Sequence, residues 1–365
     1  MQIKITTITP LHIGSGTELQ GNFEYLHFPK EGKLAVVDQE KVLAILGEEN
    51  LSQWIACIDN DEPLLPLLEK RHPGLKAADV AARIIESKSG FTRPLREQIR
   101  LSVGNKPILP GSSLKGALRT GLFSKLIIDD SGLAKDRRNL GNDSRGGFRW
   151  SDQPLQKTFF GEDPNHDIFR LLQVGDAIFE NAVTEALKIE SINKKFNRFE
   201  IKNEITQYVE TIPAGATAQA RVIFNELLNK RAQKTFNRNA PMLRLEELFP
   251  IINNETLRLL DDEIDYWDDT AGNPDALGDG LEEMERISDI GSAFAPNECL
   301  IRIGWGSGFR SMTGDWHGAM RDDDYDQLIK SLRPKHPIDL VYPKSMRMVS
   351  DGTPLGFVKL TLLNP

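Results

Sequence analysis

With 365 residues, 39% of them apolar, the chain exceeds a typical single domain and can fill a soluble core. No apolar run approaches the ~18 to 20 residues that span a bilayer, and the first residues show no basic region followed by an apolar stretch, so a cytoplasmic protein is expected. Two widely spaced cysteines, Cys57 and Cys299, read as reduced thiols, and no Cys/His/Asp/Glu cluster has zinc-finger spacing, so neither metal nor cofactor is expected.

In chain order, Ile3, Ile5 and Ile8 alternate with Lys4, Thr6 and Thr7 as in a short strand, which runs through Leu11-His12-Ile13 into the glycine turn Gly14-Ser15-Gly16. Phe23 to Val37 reads as two strands around a turn at Lys30-Glu31-Gly32. Asp38 then looks like the N-cap of a helix from Gln39 to Leu46. Residues 51 to 90 read as helical, broken at Pro63, Pro66 and Pro73.

The most specific segment is Leu109-Pro110-Gly111-Ser112-Ser113-Leu114-Lys115-Gly116-Ala117-Leu118-Arg119-Thr120-Gly121. Ser112 or Ser113 supplies an N-cap oxygen, Leu114, Leu118 and Leu122 share a helix face, and Lys115 and Arg119 lie on the neighbouring stripe. Unpaired N–H groups and a positive dipole end, followed by two cations, make an anion site suited to phosphate. A nucleotide P-loop is not present: Ala117 and Leu118 follow Gly116, so the lysine and hydroxyl of that motif are missing.

Residues 131 to 166 are rich in Gly, Asp, Asn and Arg and read as a long irregular loop. Ile178 to Ile192 and Ile201 to Ile223 look like strands, Leu243 to Tyr266 like a helix, and Thr270 to Gly280 like an acidic loop. The apolar stretch Cys299 to Ile303 leads into Gly304-Trp305-Gly306-Ser307-Gly308-Phe309, whose alternating glycines let backbone approach a ligand closely. Phe309 stands where a dinucleotide fingerprint needs its third glycine, which argues against that use.

Charge is polarised. Residues 83 to 150 carry 14 Lys and Arg, including Arg93, Arg96, Arg100, Arg137, Arg138, Arg145 and Arg149, against 6 acids. Residues 246 to 289 carry 15 acids against Arg258 and Arg286. A net charge of −8 therefore coexists with a basic segment able to neutralise phosphates and an acidic one that repels bare RNA or meets a basic partner.

The three glycine segments, in this order, resemble the motifs of the RAMP superfamily, RNA-binding subunits of CRISPR effector complexes. Asp167-Ile168-Phe169-Arg170-Leu171-Leu172-Gln173-Val174-Gly175-Asp176 and Pro354 to Leu360 resemble further stretches of the type III-A (Csm) branch. Glu24-Tyr25 with Val36-Val37-Asp38 fits the subunit that caps the 3′ end of the guide RNA. The resemblance implies an α+β, ferredoxin-like (RRM-like) core with strands near 3–9, 176–190, 204–224 and 355–363 and a first helix at 112–128. Both chain ends build that single core, with insertions at 17–106, 131–172 and 226–298; two tandem ferredoxin-like domains are the alternative.

The resemblance further implies RNA contacts at Gly14, Ser15, Gly16, Gly111, Ser112, Ser113, Lys115, Gly116, Arg119, Gly304, Trp305, Gly306, Ser307, Gly308 and Phe309. It makes crRNA and the other Csm subunits the partners, with target RNA and host nucleases as further candidates. Metal-free RNA cleavage needs a general base and acid, most often histidine, and only His12 lies in a motif. Related backbone subunits cut target RNA with an aspartate after the first glycine turn. Residues 17 to 37 contain no Asp here, Glu24 is the central carboxylate, and Glu18 and Glu31 lie at the edges. A non-catalytic structural subunit is therefore expected, with a RAMP endoribonuclease acting on CRISPR transcripts or target RNA as the alternative.

Overall fold

Ile3 and Ile5, the apolar beats of the first strand, are fully buried at the centre of the principal sheet in the computed structural model. The structure describes residues 1–87, 93–145, 147–195, 198–225, 243–268, 275–335 and 345–363. The sheet is antiparallel, in the order Leu172–Val174, Thr217–Phe224, Gln2–Thr7, Phe357–Leu363, Glu298–Arg302. Alternation buries one face: Ala218, Ala220 and Val222 line up beside Ile3 and Ile5, and Val358, Leu360 and Leu362 continue the row. The Gly111–Asp129 helix and the first half of the Leu245–Asp268 helix cover that face through Leu114, Leu118, Leu122, Leu248, Phe249 and Ile252. The architecture is mixed α+β.

A second sheet runs in the order Gly14–Leu19, Leu95–Gln98, Gln207–Thr211, Glu185–Lys195, Ala81–Glu86, Lys33–Val37, Tyr25–Phe28, and Ser345–Val349 also pairs with Glu185–Lys195. The short helices Gln39–Leu46, Leu51–Asp59 and Leu64–Arg71 pack on its far end around Leu46, Leu64 and Leu68. Among the described residues no helix is long and apolar enough to cross a membrane.

Several local readings hold. The two strands between Phe23 and Val37 form, Gly32 takes φ +63° in their turn, and the Asp38 carboxylate accepts the N–H groups of Glu40 and Lys41. Others are corrected. Residues 81–86 are a strand rather than helix, because the β-branched pair Ile84-Ile85 lies in register with Leu34 and Ala35 of the neighbouring strand. The segment expected as one core strand at 176–190 is split: Ala177–Ile178 pairs with Ile108–Leu109, Glu185–Lys195 joins the second sheet, and the core instead takes the preceding Leu172–Val174. The 204–224 strand divides likewise into Gln207–Thr211 and Thr217–Phe224, one in each sheet. The supposed irregular loop at 131–166 holds a hairpin, Gly141–Ser144 with Gly147–Trp150, and the Gln153–Phe160 helix. Of the acidic loop expected at 270–280, residues 270–274 lie outside the described residues and the rest opens the Asp275–Ser292 helix.

Candidate nucleic-acid interface

The Gly111–Asp129 helix begins two or three residues earlier than a cap at Ser112 or Ser113 implies. Pro110 occupies the cap position and no side chain of Ser112 or Ser113 caps the helix. The capping acid arrives from far along the chain: the Gly111 N–H donates to Asp176 Oδ1 at 2.7 Å. Gly111 is required by proximity, since a Cβ there would stand 2.1 Å from the Val174 carbonyl oxygen. The 167–176 stretch thus seats the helix start, with Val174 against it and Asp176 on its first N–H.

The two helix cations differ. Arg119 donates from Nη1 to both Asp167 carboxylate oxygens, at 2.7 and 3.0 Å, and from Nε to Gln156. Its guanidinium carbon lies 4.1 Å from the Phe160 ring centre, so it is committed inside the protein. Lys115 is half-buried, and its Nζ reaches no hydrogen-bond acceptor among the described residues. Burial pulls its pKa down, opposed by Asp167 and aided by Arg119.

The glycine loop folds back on the first motif. Trp305 N–H donates to the His12 carbonyl at 2.9 Å, and a Cβ on Gly304 would meet that same oxygen at 2.6 Å. Gly304, Gly306 and Gly308 take φ of +92°, +86° and +87°, which side chains disfavour. Gly306 and Ser307 are buried, and the Ser307 hydroxyl donates to Gly304 within the loop. Phe309 packs against His317, with ring centres 4.6 Å apart. Beyond it, Arg310 and Asp315 join Arg258, Asp262 and Glu255 of the long acidic helix, and Glu255 accepts from Ser124 of the motif helix. This chain of ion pairs clamps the loop to the motif helix.

Around Trp305 the structure gathers His12, Arg96, counted before only as part of the basic segment, and Arg347, which the sequence did not single out. The guanidinium carbons of Arg96 and Arg347 lie 5.3 and 4.7 Å from its ring centre, and the His12 ring meets it edge-on at 5.8 Å. Arg96 pairs with Glu18 at 3.2 Å, whereas Arg347 has no carboxylate partner among the described residues. Burial and the neighbouring Arg96 charge both lower the Arg347 pKa. His12, 2% exposed, donates from Nδ1 to the Glu210 carbonyl at 2.6 Å; burial lowers its pKa to about 4, so the ring is neutral.

Beneath this cluster, the fully buried Glu210 carboxylate accepts from Arg83, Arg100, Thr184 and the Gln98 N–H. Arg83 also holds Glu97, whose other oxygen accepts from Ser15 and Thr17 of the exposed first glycine turn. The Gln98 side chain accepts the Ile13 N–H and donates to the Ile108 carbonyl, three residues before Gly111. Two polar side chains on the second sheet therefore hold the first glycine turn and the approach to the motif helix in fixed register.

The expected site residues thus fall into groups. Gly14, Ser15, Gly16, Ser112, Gly116 and Gly308 are exposed, and Ser113, Lys115, Gly304, Trp305 and Phe309 are half-buried. Gly111, Gly306 and Ser307 are buried and Arg119 is internally paired, so these four shape the site. The basic segment is likewise partly consumed: Arg83 and Arg100 serve Glu210, and Arg137 pairs with Asp324.

A protein of Methanocaldococcus jannaschii described as CRISPR system Cms protein Csm5 is 25% identical over 398 aligned positions, covering all of this chain and 89% of that one. A chain of a Csm–crRNA–target RNA ternary complex from a type III-A CRISPR-Cas system superposes with TM-score 0.69 at 19% identity, over 99% of this chain and 100% of that one. T. onnurineus Csm5 gives 0.66 at 18% identity, over 98% and 100%. The family model of the RAMP superfamily matches residues 4–310, most of the chain, and the chain belongs to that superfamily.

Proposed function

We propose that this chain is a non-catalytic, RNA-binding structural subunit of a type III-A CRISPR complex, one that holds the 3′ region of the crRNA and caps the subunit filament. The observation that carries the reading is the meeting of the first and third glycine segments, far apart in sequence, beside Trp305, with Gln98 tying the first of them to the approach of the motif helix. The likeness to a Csm5 protein along the whole chain supports the place in the complex. Crossing order supports a ferredoxin-like core: Gln2–Thr7, the motif helix, Leu172–Val174, Thr217–Phe224, the acidic helix and Phe357–Leu363 give the βαββαβ sequence, with Glu298–Arg302 as an added edge strand. Lys115, Arg96 and Arg347 supply phosphate contacts, the glycine backbone passes close to the strand, and such contacts carry no base identity, as a guide carrier requires.

Arg119 is a poor probe, because its loss also breaks the Asp167 pair. The test is Lys115→Ala with Arg347→Ala in the full chain, with single-stranded RNA affinity measured across a salt series. Each lost phosphate contact flattens the log–log slope by about 0.7, so the double variant is expected to lose about 1.4; an unchanged slope and affinity refutes the site. The same RNA, recovered after incubation, is expected uncut, whereas cleavage abolished by His12→Ala or Glu24→Ala would favour the endoribonuclease alternative.

A further inference from the structure

Resting on the RNA-binding reading, we propose that His12 Nε2 accepts the 2′-hydroxyl of a bound ribose, so that this position selects RNA over DNA. A carbonyl oxygen only accepts, so the 2.6 Å contact with Glu210 places the ring proton on Nδ1 and leaves a lone pair on Nε2. No donor among the described residues reaches Nε2. The residue is only 2% exposed, yet Nε2 itself keeps contact with solvent, so its lone pair is open to a donor from a ligand. A bound strand that excludes water from this position has to supply the donor in its place.

The surroundings fit a ribose flanked by phosphate. Nε2 faces the first glycine turn, where a Cβ on Gly14 would stand 3.5 Å from it, so the missing side chain leaves that approach open. Arg96 and Arg347, gathered over Trp305 beside the same imidazole, are placed for the neighbouring phosphate. Burial lowers the His12 pKa, the Arg96 charge lowers it further, and only the Glu210 contact opposes them, so the ring accepts throughout the neutral range. A 2′-deoxyribose brings no donor and, once the strand has excluded water, leaves Nε2 unpaired. That loss corresponds to a discrimination of roughly tenfold or more.

The experiment uses the full chain and one single-stranded sequence made as RNA, as DNA, and as a series of RNAs each with a single 2′-deoxy position. RNA is expected to bind roughly tenfold tighter than DNA, with one deoxy position accounting for most of the difference. His12→Asn retains an amide donor in the place of Nδ1 and withdraws the Nε2 acceptor. It is expected to bring RNA affinity down to that of DNA while leaving DNA binding unchanged. Equal binding of RNA and DNA by the unaltered protein overturns the role of His12 and leaves the RNA-binding reading standing. Failure to bind either overturns both. A variant that keeps the preference, or weakens both ligands alike, also overturns the proposal. Should the variant fail to fold, the single-deoxy series on the unaltered protein decides alone: a loss spread evenly over all positions overturns the proposal.

Discussion

Replacing Glu210 by alanine tests how the interface is held. Its carboxylate is fully buried; Oε1 accepts from Arg83 and Arg100 at 3.0 Å each and from Thr184 at 2.7 Å, and Oε2 from the Gln98 N–H at 3.2 Å. The two arginine side chains are only 8% and 11% exposed. Arg83 would keep Glu97, but Arg100 would lose its carboxylate and keep only Asn105. Removing one member of a buried ion pair costs about 3 to 5 kcal/mol, mostly as an uncompensated charge. The orphaned hydroxyl and N–H each add about 1 kcal/mol or more, though contributions within one network do not sum. A loss of about 4 kcal/mol is expected for Glu210→Ala. Glu97→Ala, which removes a carboxylate 25% exposed, is expected to cost about 1 kcal/mol. Denaturant unfolding of the three proteins, followed by far-UV circular dichroism, measures both. A Glu210→Ala loss no larger than that of Glu97→Ala would refute the claim that a dry carboxylate organises this region.

Gly304→Ala forces a side chain into φ +92° with its Cβ 2.6 Å from a backbone oxygen. It should cost about 2 to 3 kcal/mol in thermal unfolding, whereas Gly116→Ala, whose Cβ meets nothing, should stabilise its helix by about 1 kcal/mol; equal effects would contradict the described loop. Burial holds both His12 and His317 neutral, with pKa values near 4 against an ordinary 6.5, Asp315 opposing the shift at His317. The unfolded chain therefore binds more protons between those values, so stability is intact above pH 6.5 and falls as pH drops towards 4, by about 3 kcal/mol per ring. A urea midpoint that stays flat from pH 7 to 5, or a slope unchanged by His317→Phe, would contradict this.

What the sequence made legible was local. The motif helix, the Asp38 cap and the hairpin of residues 25–37 depend on neighbours within a few positions, and periodicity reports those. Periodicity cannot say which sheet a strand joins. The stretch at 176–190 was expected as a core strand, yet the core took the three-residue Leu172–Val174, which leaves Val174 and Asp176 against Gly111. The network around Glu210 was invisible for a similar reason. Its partners lie 26 to 127 positions away, and a lone glutamate between Val209 and Thr211 carries no signal of them. Arg96 entered only as one charge in a basic run, and Arg347 had no motif around it; Trp305 brings them together.

That difference changes how the charge of this chain relates to its ligand. Counting residues 83 to 150 suggested a broad basic surface, but burial sorts those cations by task. Arg83 and Arg100 neutralise Glu210, Arg119 neutralises Asp167, and each guanidinium is then unavailable to a phosphate without giving up a partner. Exposed cations such as Arg145 and Arg149, and the half-buried Lys115, keep their charge for solvent or ligand. Salt sensitivity follows the phosphates actually contacted rather than the formal charge of a segment. On the proposed RNA-binding reading, a shallow salt dependence combined with measurable affinity is therefore expected, because the glycine turns would admit backbone contacts that salt does not screen.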